Sequence, residues 1–472
     1  MRLRLALPKG RLLAETAALL ERTGLELLDY AEGSRSYRPR SAKFPELFLK
    51  VFQEKDIPIQ VAIGNYDLGI CGLDWVEELS VRYPSGDLVK VGALGYGKSD
   101  LYVVVSSHAG VTAVGEINDR FDTVRIVSEY QNLAETFALK MRLRRFKVLP
   151  IWGAAEVYPP ESADVVIMAQ TAIDEFAKQG LIPLARILAS GAFLIANRNS
   201  LAKADMSKLI TCLRPFEVEA EEAQPLPSVA GVKSKIALKN EKGVRLALPD
   251  GHQQRPTMEF LVKAGLNIGG YAEALETRRP TPELPDVSVK VIRPQDMPLQ
   301  VANENFDLAI TGEDWLKDHV YRFPSSPVEE ILDLGFGWVT VVAVVSRDLP
   351  LDDTRGLSDL VKEGRLPTIR VASEYVNIAD KYARDKHLER YKVIPTWGAS
   401  EAFLPEDADL LIENTETGET LNRHNLKIID TLFQSSACLI GNRNTLFQPS
   451  KKGRIEHIIK VMEKVAREKV SK

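Results

Sequence analysis

The sequence predicts an α/β fold built twice in one chain, and three observations predict it. Short apolar runs alternate with helical patterns, whole blocks of residues return about 240 positions later, and 472 residues are enough for roughly three ordinary domains. Apolar runs bounded by turn residues suit strands buried on both faces, so the strands are expected to be mainly parallel.

The repeat is the strongest of the three. Leu5-Ala-Leu-Pro-Lys-Gly10 returns as Leu246-Ala-Leu-Pro-Asp-Gly251, and Asp56-Ile-Pro-Ile-Gln-Val-Ala62 as Asp296-Met-Pro-Leu-Gln-Val-Ala302. Tyr66 to Trp75 matches Phe306 to Trp315, Ser128-Glu-Tyr130 matches Ser373-Glu-Tyr375, and Trp152-Gly-Ala-Ala-Glu156 matches Trp397-Gly-Ala-Ser-Glu401. A period this long is that of a whole domain, not of a solenoid unit. The copies are expected at 1–213 and 243–472, joined by an acidic, proline-containing and then lysine-rich linker at 214–242.

Within copy 1, strands are expected at 101–105, 123–127 and 164–167, with a helix over 133–142. The run Val339 to Val345 reads as a strand entering a second lobe, and Ala437 to Gly441 as the strand that returns. Two crossings give each copy two lobes around a cleft, where open α/β sheets bind ligands. In copy 1, lobe I takes about 1–100 and 190–213 and lobe II about 101–189; in copy 2, lobe I takes about 243–338 and 435–472 and lobe II about 339–434.

Composition excludes several function classes. The 45% hydrophobic and 27% charged content is that of a globular chain, and a net charge of −4 argues against a nucleic acid as the main partner. Cys71, Cys212 and Cys438 are too far apart for a close-spaced zinc site or a disulfide framework, so buried thiols are expected. No secretion signal or long apolar run is visible, which points to a cytoplasmic protein. The basic run Lys140 to Lys147 reads as a solvated helix end, and the paired Trp75, Trp152, Trp315 and Trp397 as core.

The segment Ala408 to Leu421 is the most informative for chemistry: an apolar strand, then Glu413, Glu416, Thr417, Gly418, Glu419, Thr420 and Leu421. A strand, a glycine turn and a helix start can cradle a phosphate, with threonine hydroxyls and outward N–H groups as donors, while Glu413 and Glu416 suit ribose hydroxyls. The alternative, a capped helix start, stays open. Copy 1 has Met168 to Phe176 here, without a glycine, so its phosphate loop is degenerate. The bias reverses at the first strand, where copy 1 carries Lys9 and Arg11, cations suited to a pyrophosphate, and copy 2 has Asp250 and His252. Arg293 replaces Gln53, and Arg35 faces Glu276 in the other copy.

In order and spacing, Leu5 to Leu12, Asp67 to Asp74, Asp333 to Gly337, Arg370 to Asn377, Glu416 to Leu421 and Ser435 to Arg443 resemble the catalytic part of ATP phosphoribosyltransferases, twice over. The resemblance implies four lobes in all, as two tandem copies of a two-lobe fold like that of type II periplasmic binding proteins. It implies a magnesium-dependent glycosyltransferase that joins ATP to phosphoribosyl pyrophosphate and releases pyrophosphate, the first step of histidine biosynthesis. Carried over, Glu416 to Leu421 would hold the 5-phosphate, Glu413 the ribose and Arg293 the leaving pyrophosphate. Lys9 and Arg11 match the family's Lys-Gly-Arg motif, and Arg35 an arginine that reaches a neighbouring subunit's site. Glu419 and Asp250 depart from the family pattern. One active site per chain, at an internal pseudo-dimer, is expected. So are self-association of the fused chain and a possible regulatory subunit resembling histidyl-tRNA synthetase. The tail after Asn444 is too short for the histidine-sensing domain of the family's long form. Those departures also keep a second class in view, a non-catalytic nucleotide-binding or regulatory paralogue; a secreted solute-binding module would want a signal.

Overall fold

The computed structural model of the chain describes residues 3–34, 36–84, 86–203, 205–213, 243–272, 277–446 and 448–470. The linker at 214–242 and Arg35 lie outside the described residues. Two compact units emerge. The first holds the described residues of 1–151 and 158–213 together with Trp397–Ala402, and the second holds Trp152–Val157, the described residues of 243–396 and those from Phe403 onward.

Each unit carries two five-stranded sheets. In the first, one sheet runs Phe48–Gln53, Arg4–Lys9, Leu68–Gly72, Ala192–Asn197, Leu88–Ala93; the other runs Leu181–Leu188, Asp100–Ser106, Val165–Gln170, Val124–Ser128, Phe146–Pro150. The second unit repeats both orders. Its first sheet begins Val287–Ile292, Val244–Pro249, Leu308–Gly312, and its second contains Leu426–Ser435, Val339–Ser346, Leu410–Thr415 and Ile369–Ser373. This is the two-lobe α/β architecture, twice over, that the sequence implied.

Strands are parallel except for one in each sheet, the strand that arrives from the other lobe. Asp100–Ser106 is antiparallel to both neighbours, as is Ala192–Asn197. All seven residues of Asp100–Ser106 are buried, which explains the unbroken valines. The crossings lie side by side and bond to each other: Ser99 N–H donates to Ser190 O and Ala192 N–H to Tyr96 O, both at 2.9 Å. In the second unit Ala437 N–H donates to Phe336 O at 2.8 Å. Positive φ at Gly95 and Gly97, and at Gly335 and Gly337, lets the chain turn there, a conformation that side chains with a Cβ resist.

Apolar cores sit in each lobe, one of them around Leu101, Val103, Ile126, Phe137 and Ile167. Cys71 and Cys438 are buried as expected, and Cys212 is half-buried. The helix read over 133–142 forms at Gln131–Lys140, followed by exposed Arg142, Arg144 and Arg145, so the basic run is a solvated helix end. The tryptophans differ from expectation. All four are half-buried, and Trp75 and Trp315 pack on core edges, Trp75 stacking on Tyr130 at 4.4 Å between centroids and Trp315 lying tilted against Tyr375 at 4.3 Å. Among the described residues no helix is long and apolar enough to cross a membrane.

His319 is a difference between copies with a measurable consequence. It is buried where copy 1 has Leu79, its Nε2 lies 2.8 Å from Ser326 Oγ, and burial, aided by Arg322, lowers its pKa to about 4. Because the folded value lies below the unfolded value of about 6.5, this group's stabilisation is full above that pH and is lost as pH falls toward 4. His319→Leu is expected to flatten the decline of the urea midpoint between pH 7 and pH 5; an unchanged decline would place its cause elsewhere.

Candidate active site

The cleft of the second copy is framed from both lobes. Helix Glu313–Arg322 of lobe I carries Asp314 in its first turn, and Tyr375 precedes helix Val376–Asp385 of lobe II. Tyr375 OH donates to Asp314 Oδ2 at 2.6 Å, both being buried. One turn further, Asp318 accepts the backbone N–H groups of Asn377 and Ile378, both at 2.9 Å, and the Asn377 amide at 2.7 Å. Burial raises the pKa of both aspartates, and it raises that of Tyr375 as well, reinforced by Asp314 and Glu413.

Copy 1 has the same frame. Tyr130 OH donates to Asp74 at 2.7 Å, and Glu78 accepts Asn132 N–H at 2.8 Å and Leu133 N–H at 2.9 Å. None of these groups was singled out as functional from the sequence, although the signal existed: Asp-Trp at 74–75 and 314–315 and Ser-Glu-Tyr at 128–130 and 373–375 were repeat markers without an assigned role.

The strand Leu410–Thr415 carries the predicted loop into the cleft, and the strand, glycine turn and helix follow as read. Gly418 has φ +75° and nothing within 4 Å of where a Cβ would stand, and it opens helix Glu419–Arg423. Glu416, Thr417, Glu419 and Thr420 are exposed, while buried Leu421 anchors the turn. Two amides are occupied: Gly418 N–H donates to Thr415 Oγ1 at 2.9 Å and Glu419 N–H to Thr417 Oγ1 at 3.4 Å. Threonine side chains therefore organise the turn, but the N-cap is Gly418 and no side chain caps the helix, so the capping alternative does not account for it. Glu413 is half-buried beside Asn414, whose N–H donates to its Oε1 at 3.0 Å.

On lobe I, Arg293 ends the strand next to Asp250 and pairs with it at 3.2 Å. The same Asp250 oxygen binds Arg278 at 3.0 Å, and Arg278 reaches Glu156 of the Trp152–Val157 segment at 3.0 Å. Asp250 thus replaces a lysine but gathers two guanidiniums.

Lys9 and Arg11 belong to the first unit's own cleft, in a cavity of about 220 Å³ lined also by Lys55, Trp75, Glu129 and Tyr130. Lys9 Nζ donates to Tyr37 OH at 3.3 Å, and Tyr37 OH donates to Glu401 at 3.0 Å, Glu401 lying in the Trp397–Ala402 segment of the same unit. Arg11 bonds Glu54 at 2.8 Å and the Gly97 carbonyl at 3.0 Å and lies 3.8 Å from Asp74. The Glu54 carboxyl is raised by burial, Arg11 opposing the rise. Lys55 meets Glu129 across the cleft at 2.6 Å, where the second copy has Gln295 and Glu374. Of the residues assigned to chemistry, the second unit therefore holds Arg293, Glu413 and the loop, the first holds Lys9 and Arg11, and Arg35 is outside the described residues.

Comparison with known proteins decides the family. The sequence model described as ATP phosphoribosyltransferase matches residues 53–215 and again 293–464, more than half of the chain. The chain belongs to the ATP phosphoribosyltransferase family. It is a duplicated member and a phosphoribosyl-transferring enzyme. A protein of Prosthecochloris aestuarii called ATP phosphoribosyltransferase is 30% identical over 230 residues, 47% of this chain and 70% of that one. One of Chlorobium chlorochromatii with the same name is 32% identical over 227 residues, 46% and 69% respectively. Among solved structures, the ATP phosphoribosyl transferase (HisG:HisZ) complex from Thermotoga maritima matches at 20% identity and a TM-score of 0.38, covering 48% of this chain and 99% of that one. The first matched segment starts after Lys9 and Arg11; the second includes Arg293 and the loop.

Magnesium is the ion such an enzyme implies. Among the described residues no group of three or more histidine, cysteine or acidic side chains could hold a metal.

Arg11 separates two acids, Glu54 and Asp74, that are 8% and 0% exposed. Arg11→Met is expected to cost about 2 to 3 kcal/mol, at the low end for a broken buried pair because the guanidinium is partly exposed. The penalty should shrink as pH is lowered and Glu54 protonates, as read from urea midpoints at pH 7 and pH 5.

Proposed function

We propose that the chain condenses ATP with phosphoribosyl pyrophosphate to phosphoribosyl-ATP and pyrophosphate, the entry step of histidine biosynthesis, with one active site per chain in the cleft of the copy at 243–472. What supports this reading above all is the asymmetry of one strand and its loop. Glu413-Asn-Thr-Glu-Thr-Gly418 of the second copy stands where the first has Met168-Ala-Gln-Thr-Ala-Ile173, which offers neither a carboxylate for ribose nor a glycine for close approach of a phosphate.

The roles follow from the chemistry of each group. The 5-phosphate sits on the turn Glu416 to Leu421, its binding exchanging threonine hydroxyl contacts for phosphate oxygens, which are the stronger acceptors. Glu413 accepts from the ribose hydroxyls. Arg293, already held at the cleft by Asp250, offers a planar fork to the pyrophosphate. Displacement at C1 passes through an oxocarbenium-like state, so positioning and cations on the leaving group carry most of the rate. Magnesium, when bound, neutralises the pyrophosphate charge. Glu419 is exposed, so a phosphate meets it as a solvated charge, screened over about 8 Å at physiological salt.

Pyrophosphate release from ATP, phosphoribosyl pyrophosphate and magnesium tests the reaction, measured with the chain alone and with a regulatory subunit resembling histidyl-tRNA synthetase. No release in either arm would favour a non-catalytic nucleotide-binding role. Gly418→Val is expected to weaken phosphoribosyl pyrophosphate binding roughly a hundredfold, the scale of losing one or two charge-assisted hydrogen bonds, whereas Ile173→Val leaves it intact. Equal losses at both positions would end the asymmetry. Calorimetric titration should saturate at one phosphoribosyl pyrophosphate per chain, and two equivalent sites would contradict the assignment.

A further inference from the structure

The second copy's cleft contains one link that the first lacks. Asn414 Nδ2 donates to Tyr375 OH at 2.5 Å, and Tyr375 OH donates in turn to Asp314 Oδ2 at 2.6 Å. The chain runs from a lobe I helix start, through a lobe II tyrosine, to the strand Leu410–Thr415. In the first copy the Tyr130 to Asp74 bond is kept at 2.7 Å, but the residue at the Asn414 position is Ala169, which has no donor.

We propose that Asn414 is a positioning residue that ties the strand presenting Glu413 and the phosphate turn to the contact that joins the two lobes. The assignment rests on the functional reading above. Three observations carry it. First, the polarity is fixed: an amide nitrogen only donates, so Tyr375 must direct its own proton to Asp314, and the three groups form a directed chain in which each bond strengthens the next. Second, the location is decisive. Asn414 lies between Glu413 and Thr415, the residue whose hydroxyl accepts Gly418 N–H, so fixing its side chain fixes the strand end on both sides. Third, the tyrosine it grips is held, because the Trp315 ring lies tilted against it with centroids 4.3 Å apart and Asp314 is itself held, its N–H donating to Ser435 Oγ at 3.0 Å beside the crossing.

The consequence is selective. A link between the lobe contact and the strand end should serve the ligand that sits on that strand, the phosphorylated ribose, and have little bearing on a nucleotide held elsewhere in the cleft. Without the link the strand end samples other positions, and binding bears the cost of ordering it.

The test is isothermal calorimetry on the full-length chain with phosphoribosyl pyrophosphate and magnesium, and separately with ATP. Asn414→Ala, which imitates copy 1, and the isosteric Asn414→Asp, which keeps the shape but removes the donor, are each expected to weaken phosphoribosyl pyrophosphate binding about five- to tenfold. ATP affinity should change less than twofold. Tyr375→Phe should weaken the same ligand, and its combination with Asn414→Ala should cost less than the two losses added together, since both break one chain. Binding by both Asn414 variants within twofold of the parent chain, equal losses for the two ligands, or full additivity would each overturn the assignment. If the parent chain itself fails to bind phosphoribosyl pyrophosphate, the functional reading falls and takes this assignment with it, an outcome distinct from a parent chain that binds and variants that bind equally well.

Discussion

Each cleft depends on a carboxylate buried where two lobes meet. Asp74 and Asp314 are 0% and 3% exposed, and a carboxylate removed from water is costly unless its oxygens are filled. Each is filled from both sides: its own helix supplies the Trp75 or Trp315 N–H, and the opposite lobe supplies the phenol of Tyr130 or Tyr375. Pulling the lobes apart at this point would strand a buried acceptor, at about 1 to 3 kcal/mol for a neutral donor lost and more for a charged group. The second contact, Glu78 or Asp318 accepting two backbone N–H groups from the first turn of the facing helix, adds the favourable end of that helix's dipole. Together with the paired crossings, these bonds make each two-lobe copy a frame that holds its shape around a cleft.

The frame is kept in both copies, while much of what faces it has diverged. The strand after the tyrosine helix ends in Met168-Ala-Gln in one copy and Glu413-Asn-Thr in the other, on an identical sheet order. One cleft has an ion pair across it, Lys55 to Glu129, in which Lys55 also sits over Trp75 at 4.8 Å; the other has an uncharged glutamine at that position. Duplication permits this, since one copy can keep the fold while the residues facing its cleft change.

The sheets and crossings were legible because a strand buried on both faces must be written almost entirely in apolar residues, as Val339 to Val345 is. The loop was legible because Thr417-Gly-Glu-Thr420 is a local pattern, and the turn it makes is local. The lobe contact was not. Its partners are 56 residues apart in one copy and 61 in the other, and neither Asp-Trp nor Ser-Glu-Tyr has a spacing that announces the other. The tryptophans differ for a related reason: a large aromatic that recurs in pairs reads as core, whereas Trp75 and Trp315 are half-buried at the core's edge, against the tyrosines of the contact. The position of Arg11 was hidden too, because a cation at a strand's carboxyl end suits an anionic ligand as well as it suits the buried Glu54 and Asp74 that it actually meets.

Asp250 shows how a departure from a family pattern can conserve its physics. Reading position by position, Lys9 becomes an acid and a cation is lost. Reading the neighbours, Tyr37, which receives the Lys9 amine, becomes Arg278, which binds Asp250, while Gln53, across the sheet from Lys9, becomes Arg293. Lysine and tyrosine have been exchanged for aspartate and arginine, which leaves the local sum one charge lower, and the arginine at 293 restores it. The cation has moved from a flexible ammonium to two guanidiniums that share one carboxylate oxygen. Such forks are more rigid and fit phosphate oxygens in pairs, so an anion approaching this edge finds donors already oriented by Asp250 and need only compete with it for them.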